Sequence, residues 1–341
     1  MLPIIRQKIF HLIVTLIGVT LFSFFLIRMA PGDPVLLLLG ERGADPVVYQ
    51  EMKKNLGLDK PPLVQYGLFM KNAVQGDLGK SIVSKRKVTD EFWSRFPATL
   101  ELGICVMILA ICLGIPLGVY AAYKRNSIWD YTLMGGSLTG YSMPLFWWAL
   151  ILILIFSVKL GLTPVSGRLS VMYDIEPVTG FYLIDSLLPE TMEEEGFAVF
   201  FSVLHHLILP TIAMATIPLA IIARMTRSSM LEVLGQDFIR TATAKGASTF
   251  QIIFKHALRN ALIPIMTIAG LLFGSIITGA VLTETIFSWP GIGKWLVASV
   301  HARDYPVIQG GVLFIATFIV LINATVDLLY FWANPKLKKG H

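Results

Sequence analysis

Charged residues and cysteines are both scarce in this chain of 341 residues. Asp, Glu, Lys and Arg make up 15% of it and hydrophobic residues 55%, which excludes an ordinary soluble domain and is typical of a protein with several membrane spans. The two cysteines, Cys105 and Cys112, lie in one apolar run. On a helix their Cα atoms would be about 10 Å apart, beyond disulfide reach, so we expect two small packing residues and no disulfide framework.

Sequence motifs of catalysis, metal binding and nucleotide binding are missing as well. The sequence contains no His-Glu-x-x-His motif, no Gly-x-Ser-x-Gly motif and no Cys/His cluster with zinc spacing. Gly79-Lys80-Ser81 matches the end of a phosphate-binding loop, but Val74 occupies the position of the required first glycine. The sequence therefore predicts no enzyme, no metal, no cofactor and no nucleic-acid partner.

Long hydrophobic runs are abundant instead. Six of them approach or exceed the length of about 20 residues that a helix needs to cross a bilayer. They cover residues 9–27, 98–123, 131–157, 204–223, 263–281 and 307–332. We expect the first run to be retained, because Pro31-Gly32-Asp33-Pro34 after it offers no small-x-small cleavage site. The sequence thus predicts an all-α integral membrane protein with six transmembrane helices.

Positive charge is distributed unevenly among the segments that flank these runs. Lys and Arg cluster before the first run, after the second, between the fourth and fifth, and after the sixth: Arg6, Lys8, Lys124, Arg125, Arg224, Arg227, Arg240, Lys245, Lys255, Arg259, Lys336, Lys338 and Lys339. The 158–203 segment is acidic instead. Because short cytoplasmic loops are enriched in Lys and Arg, we expect both termini to be cytoplasmic and the 158–203 segment to be external. The 31–97 segment is expected to be external too, since long loops largely escape this rule.

Glycine and proline inside the runs predict how the helices pack. Glycine pairs spaced four residues apart, which allow helix backbones to approach closely in lipid, are Gly114–Gly118, Gly136–Gly140 and Gly270–Gly274. Prolines expected to kink their helices are Pro116, Pro144, Pro210 and Pro218. Plain bundle packing and a pathway that opens and closes are both compatible with this pattern.

The segment from Ser228 to Pro264 is a polar, basic interruption of the hydrophobic second half. Apolar residues at helical spacing predict a first short amphipathic helix, with Leu231, Leu234, Phe238, Ile239 and Ala242 on or beside its apolar face. Gly246 is expected to end this helix, because glycine adopts the left-handed C-cap conformation without steric cost.

A second short helix is predicted after Gly246. Ser248 and Gln251 form a capping-box pattern at its start, and Pro264 is expected to end it. Its predicted apolar face carries Phe250, Ile253, Ala257 and Ala261. The sequence therefore predicts two short helices joined by a glycine elbow on the membrane surface; an ordinary cytoplasmic loop is the alternative.

Three carboxylates lie in or beside apolar runs, where a charge is costly and often functional or paired: Glu101, Glu284 and Asp327. Structural pairing and a role along a pathway both remain open for them. The segment from Thr283 to Gly293 contains Trp289-Pro290-Gly291, which is typical of a turn with an interfacial aromatic anchor.

Several segments resemble the permease subunits of ABC importers for dipeptides and oligopeptides. Three of them lie between Ser228 and Pro264, which we call the elbow region: Arg240-Thr241-Ala242, Ala244-Lys245-Gly246 and the stretch from His256 to Ala261. The others are Pro31-Gly32-Asp33-Pro34, Gly76-Asp77-Leu78-Gly79, Leu138 to Pro144 and Thr283 to Gly293. Together they cover nearly the full length. The chain departs from the general importer motif, which has Glu-Ala-Ala at the position of Arg240-Thr241-Ala242.

This resemblance implies a type I ABC importer permease fold in a bacterial inner membrane. It implies that the chain forms half of a pathway for di- and oligopeptides, and that its partners are a second similar permease subunit, two cytoplasmic ABC ATPase subunits, an extracytoplasmic solute-binding protein and membrane lipid. ATP hydrolysis is expected in the partners. A stand-alone ion-coupled secondary transporter is the alternative from another class.

The resemblance also implies roles for particular residues and an order of segments. ATPase coupling is expected from Arg240, Thr241, Ala242, Lys245, Gly246, Ala247 and Ser248, and a pathway or gate role from Glu284, Trp289, Pro290 and Asp327. The expected organisation is an N-terminal helix and external loop (1–97), a permease core (98–332) that includes the coupling loop (228–262), and a basic cytoplasmic tail (333–341).

Overall fold

The computed structural model describes residues 2–29, 34–39, 45–55 and 57–333, so Pro31-Gly32-Asp33 and the basic tail lie outside the described residues. Helix dominates the described part. The α-helices, numbered in chain order, are α1 (Leu2–Met29), α2 (Pro34–Leu39), α3 (Pro46–Asn55), α4 (Pro62–Val74), α5 (Val88–Tyr123), α6 (Ile128–Ser142), α7 (Leu145–Leu152), α8 (Tyr182–Asp185), α9 (Pro189–Glu194), α10 (Phe197–Leu234), α11 (Asp237–Ala244), α12 (Arg259–Ile286), α13 (Ile292–His301) and α14 (Tyr305–Ala333). Two π-helical segments, Ile153–Lys159 and Gln251–Leu258, continue α7 and precede α12.

Five helices of the described chain are long and apolar enough to cross a membrane. They are α1, α5, α10, α14 and the continuous helix formed by Gln251–Leu258 with α12. The hydrophobic run predicted as the third span forms two helices instead, α6 and α7 with its π-helical extension, bent by 104°. The predicted number of six is reached only when this bent pair is counted as one span.

The bend between α6 and α7 has a local cause in the sequence. Met143 has extended backbone angles, with φ at −79° and ψ at 130°, and Pro144 follows it. A proline disfavours a helical conformation of the residue before it, so Met143 is a favoured position for a break. Pro210 and Pro218, by contrast, lie inside the continuous helix α10.

The chain divides into two compact units, which are residues 1–97 with 291–320 and residues 98–290 with 321–341. In the first unit, the buried Asp304 accepts hydrogen bonds from Ser81 Oγ at 2.5 Å and from the backbone N–H of Ile82 at 3.1 Å. Trp295 Nε1 donates to Glu91 at 2.6 Å. These buried polar groups are satisfied within the unit, as burial requires.

In the second unit, α10 is the helix against which α5, α6, α7 and α12 pack. A Cβ added at Gly118 would lie 2.5 Å from the carbonyl oxygen of Ala223 and 2.5 Å from Cβ of Thr226, so only glycine allows this approach of α5 to α10. Gly140 on α6 is similarly close to Thr216 of α10. The predicted close contacts are confirmed at these positions, whereas a Cβ at Gly136 would meet nothing within 4 Å.

An ion pair between a buried carboxylate and a half-buried arginine joins the start of α6 to α10. Arg227 donates from Nε to Asp130 Oδ1 at 2.5 Å and from Nη2 to Asp130 Oδ2 at 2.6 Å, and Asp130 is 1% exposed. The backbone N–H of Asn126 also donates to this carboxylate, and Ser127 caps α6. The bidentate geometry therefore fixes α6 to the last turns of α10.

Gly118→Ala is expected to destabilise the protein by about 1–3 kcal/mol, because the added methyl group overlaps α10. Gly136→Ala adds the same methyl group in open space, and alanine is the better helix former by about 1 kcal/mol, so that variant should be neutral or more stable. Thermal unfolding of both purified variants in detergent measures the difference. Equal melting temperatures would contradict the close approach of α5 to α10.

Asp130→Asn is expected to lower stability by about 2 kcal/mol, since two charge-assisted hydrogen bonds from Arg227 are lost. Asp237→Asn is the matched control: its ion pair with Arg240, at 3.3 Å, is almost fully exposed and should contribute less than about 1 kcal/mol. The measurement is again the melting temperature in detergent. A control variant as unstable as Asp130→Asn would show that burial does not set the strength of these pairs.

Candidate functional site

The elbow region begins differently from the sequence prediction. Residues 228–234 do not start a new helix; they are the last residues of α10, which is 38 residues long. Gly235 and Gln236 interrupt the helical structure, and α11 begins only at Asp237. The prediction of one helix across this interruption was wrong because the apolar spacing continues through it, whereas Gly235 is a poor helix former and Asp237 favours a first helical turn.

The glycine elbow itself is confirmed. Gly246 has φ at +82°, in the left-handed region that favours glycine. The backbone N–H of Ala247 donates to the carbonyl of Ala242 at 3.1 Å, and that of Gly246 donates to Thr243 at 2.9 Å. This pair of hydrogen bonds is the Schellman motif, which satisfies the last carbonyl groups of α11 and turns the chain sharply.

The predicted capping box is also confirmed. The backbone N–H of Ser248 donates to Gln251 Oε1 at 3.0 Å, and the N–H of Gln251 donates to Ser248 Oγ at 3.4 Å. The helix that follows does not end at Pro264, however. The π-helical segment Gln251–Leu258 continues without a break into α12, and Pro264 lies inside that helix. The second predicted helix is therefore the first part of a long one.

Apolar side chains anchor the elbow region in the core of the second unit. Ile239 of α11 and Ile253 and Ala257 of the π-helical segment are buried in the same cluster as Met230 and Val233 of α10. The seven predicted coupling residues lie on the opposite, outward side: Arg240, Thr241, Lys245, Gly246 and Ser248 are exposed, and Ala242 and Ala247 are half-buried. The elbow is thus an exposed turn between two helical segments whose apolar side chains are packed in the core.

Sequence reasoning missed an exposed aromatic pair beside the elbow. Phe250, predicted on the apolar face, is 70% exposed, and its ring centroid lies 4.7 Å from that of Phe254. Phe254 also lines an apolar cavity of about 540 Å³ with Ile115, Tyr120 and Leu258. The signal for this pair in the sequence was its spacing, because aromatic residues four positions apart are neighbours on a helix surface. Exposed aromatics of this kind are enriched at interfaces between proteins.

The residues predicted for a pathway or gate differ in their burial. Glu284 is fully buried and accepts a hydrogen bond from Thr99 Oγ1. Trp289 is also fully buried; its backbone N–H donates to the Glu284 carbonyl at 2.8 Å, and its Nε1 donates to the Ala98 carbonyl at 2.9 Å. Pro290 is exposed. Asp327 belongs to α14, and its side chain lies outside the described part of the chain.

Structural pairing is the observed state of Glu101. Arg168 donates to Glu101 Oε2 from Nη2 at 2.6 Å and from Nε at 3.1 Å, and both side chains are less than 10% exposed. The backbone N–H of Leu183 donates to the other carboxylate oxygen at 2.8 Å, and Arg168 also donates to the Gly180 carbonyl. This network ties the acidic 158–203 segment to α5.

Arg224, which served in the sequence only to predict orientation, has a buried polar atom. Arg224 of α10 has a buried Nε that finds no hydrogen-bond acceptor among the described residues. Its guanidinium carbon lies 5.1 Å from the centroid of the Tyr141 ring, close to the break between α6 and α7.

Two family models match the chain over nearly all its length. Residues 114–339 match the binding-protein-dependent transport system inner membrane component, and residues 1–103 match the N-terminal part of the membrane component of such systems. The first match alone covers more than half of the chain.

Curated proteins similar to this chain carry consistent names. The di/tripeptide transport system permease protein DppB of Pseudomonas aeruginosa (strain UCBPP-PA14) is 55% identical over 338 residues, which cover 99% of each chain. The dipeptide transport system permease protein DppB of Escherichia coli (strain K12) is 52% identical over 341 residues, again 99% of each chain. The glutathione transport system permease protein GsiC of Escherichia coli O6:H1 is 39% identical over 338 residues, with the same coverage.

Apolar helices long enough for several membrane crossings, the absence of a catalytic motif in the sequence and these full-length matches agree with one another. The chain belongs to the family of binding-protein-dependent transport system inner membrane components, and it is a multi-pass permease subunit of an ABC importer.

Proposed function

We propose that this chain forms half of a translocation pathway for dipeptides and short oligopeptides, and that the elbow around Gly246 is where a cytoplasmic ATPase subunit acts on it. The observation that carries this proposal is the protruding Schellman turn on a core-anchored base. A docked partner can move such a turn without unfolding it. The exposed Phe250 and Phe254 beside the turn add apolar area for that partner.

The second unit contains a continuous path for the movement. Helix α11, which leads into the elbow, is packed in the same core cluster as the end of α10, and the Asp130–Arg227 ion pair joins α10 to the start of α6. The same helix contacts the break between α6 and α7, because Trp148 Nε1 donates to Thr216 Oγ1 at 3.0 Å. A displacement of the elbow therefore reaches the break through packed helices. In our proposal ATP-driven closure of two ATPase subunits produces that displacement.

Irregular backbone at membrane depth is tolerated where it is buried in protein or lines a cavity, so the break between α6 and α7 is a suitable wall for the pathway. Arg224 places a positive charge near it, which suits substrates that carry a carboxylate group. The names of the relatives favour the same class, since two of them are permeases for di- or tripeptides and dipeptides.

The remaining partners and the orientation follow from the same reading. We place both termini in the cytoplasm, the acidic 158–203 segment outside, and a solute-binding protein against the outer loops. A second, similar permease subunit completes the pathway. The buried Glu284 and Trp289 shape the outer turn from within, and the exposed Pro290 is its surface. Asp327 is kept as a proposed pathway residue.

Gly246→Trp is expected to abolish dipeptide uptake, because an indole on the outside of the elbow blocks a partner that fits closely around it. Loss of about 3 kcal/mol of docking free energy would weaken the association with the ATPase roughly 100-fold. The measurements are uptake of a labelled dipeptide by cells and the amount of ATPase that co-purifies with the chain.

The matched control is Gly161→Trp. Gly161 also has a positive φ, of 62°, and a Cβ there also meets nothing within 4 Å, but it lies in the acidic 158–203 segment. Backbone strain is therefore similar in the two variants, and only the docking surface differs. We expect the control to keep both uptake and bound ATPase. Normal uptake by Gly246→Trp would overturn the proposed coupling role.

A further inference from the structure

The first unit contains a polar cavity of about 360 Å³ that the transport mechanism does not use. It lies at the C-terminal end of α1, between that end, α4 and the start of α14. Its polar lining includes Arg28, Lys54, Lys60, Gln65 and Gln309. Asn72 and Asp77 are polar lining residues too, and apolar side chains such as Leu68 and Phe69 line the cavity beside them, so it has the mixed character of a site for an amphipathic ligand.

Arg28 has no carboxylate partner among the described residues. Its Nε and Nη2 donate to Gln65 Oε1 at 3.2 and 2.7 Å, and its Nη1 donates to the Phe24 carbonyl at 3.3 Å. The guanidinium carbon lies 3.5 Å above the Phe24 ring and 5.4 Å from the Tyr305 ring. These neutral groups orient the half-buried guanidinium, and none of them compensates its positive charge.

Gln309 provides an independent sign of a missing ligand. Its side chain is 7% exposed, and its Nε2 has no hydrogen-bond acceptor in the part of the chain that the structure describes. Buried amide groups are nearly always satisfied, so this donor calls for an acceptor from outside the chain. Gln309 lines the same cavity as Arg28.

The charge balance of the cavity favours an anion. Lys54 and Lys60 add two exposed cations to Arg28. The carboxylate in the lining belongs to Asp77, whose Oδ1 already accepts a hydrogen bond from the backbone N–H of Gly79 at 2.9 Å. Three cations and an unsatisfied amide donor therefore face one carboxylate, an arrangement that suits a phosphate group.

The surroundings of the cavity favour a lipid as the source of that phosphate. Helix α4 also contacts α1 eight residues before Arg28, since the Tyr66 hydroxyl lies 3.0 Å from Thr20 Oγ1. Large apolar side chains of both helices are nevertheless exposed, with Phe22 70% and Leu63 71% accessible. An apolar surface of this kind on a membrane-spanning helix suits acyl chains, and both helices also carry residues that line the cavity, Arg28 on α1 and Gln65 on α4.

We propose that this cavity binds the phosphate headgroup of a membrane phospholipid. Arg28 and Lys60 neutralise the phosphate charge, Gln309 Nε2 donates a hydrogen bond to it, and the acyl chains lie along the exposed face of α1 and α4. The bound lipid then supplies the counter-charge and the acceptor that the described residues of the first unit do not provide. The site is separate from the elbow region and does not depend on the proposed substrate.

The experiment uses the full chain, purified in detergent with whatever subunits accompany it, and native mass spectrometry to count bound ligands. The probes are dihexanoyl phosphatidylglycerol, dihexanoylglycerol without the phosphate, and inorganic phosphate. We expect phosphatidylglycerol to bind the wild-type chain, with the two other probes binding at least tenfold more weakly.

Four variants locate the site. Arg28→Gln is expected to weaken phosphatidylglycerol binding about tenfold, and Lys60→Gln and Gln309→Met severalfold. Lys60 is exposed, so its variant keeps the test valid if Arg28→Gln does not fold. Lys71→Gln, an exposed position of α4 outside the lining, is the matched control and should bind normally.

Three results would overturn the proposal. Equal binding of phosphatidylglycerol by the wild-type chain and all variants would show that the lipid binds elsewhere. Equal binding of dihexanoylglycerol would show that only the acyl chains are recognised. Inorganic phosphate that binds as tightly as the lipid would identify a free-phosphate site instead.

Discussion

Close packing of α10 against its neighbours is the constraint on which the second unit depends. Helices in lipid gain little from the hydrophobic effect, so their association rests on backbones that approach closely. Gly118 on α5 and Gly140 on α6 leave no room for a Cβ at their contacts with α10. In our proposal a helix held from two sides in this way is displaced as a whole, so a surface turn at one end acts on the interior.

Buried ion pairs fix the two sides of this arrangement. Asp130 and Arg227 join α6 to α10 near the elbow, and Glu101 and Arg168 join the acidic segment to α5. Such pairs contribute little net stability, because desolvation offsets their attraction, but separating either pair leaves a buried charge. They therefore favour one arrangement of the helices over others. Arg28 in the first unit differs from these arginines, because its hydrogen bonds within the described part of the chain all go to neutral groups.

Local features of the elbow could be predicted from sequence, and long-range features could not. The Gly246 turn and the Ser248–Gln251 capping box depend on residues a few positions apart, so their spacing was sufficient. The pairing of Glu101 with Arg168 joins residues far apart in the chain, and no pattern in the sequence announces it. The 104° bend at Met143 was underestimated as a kink, because the sequence shows the proline but not the packing that lets two helices diverge. Helical periodicity also predicted Phe250 on the apolar face, but Phe250 is exposed. The helix continues after it as the π-helical segment Gln251–Leu258, whose wider turn changes which residues share a face.

In our proposal the elbow is the surface through which an ATPase drives this permease. A photo-crosslinking amino acid at Thr249, an exposed position of the elbow, tests it most directly in the native complex. The matched position is Val171, fully exposed in the acidic segment. We expect a crosslink to an ATPase subunit from Thr249 and none from Val171. A Thr249 probe that crosslinks to the solute-binding protein, and never to an ATPase, would contradict it.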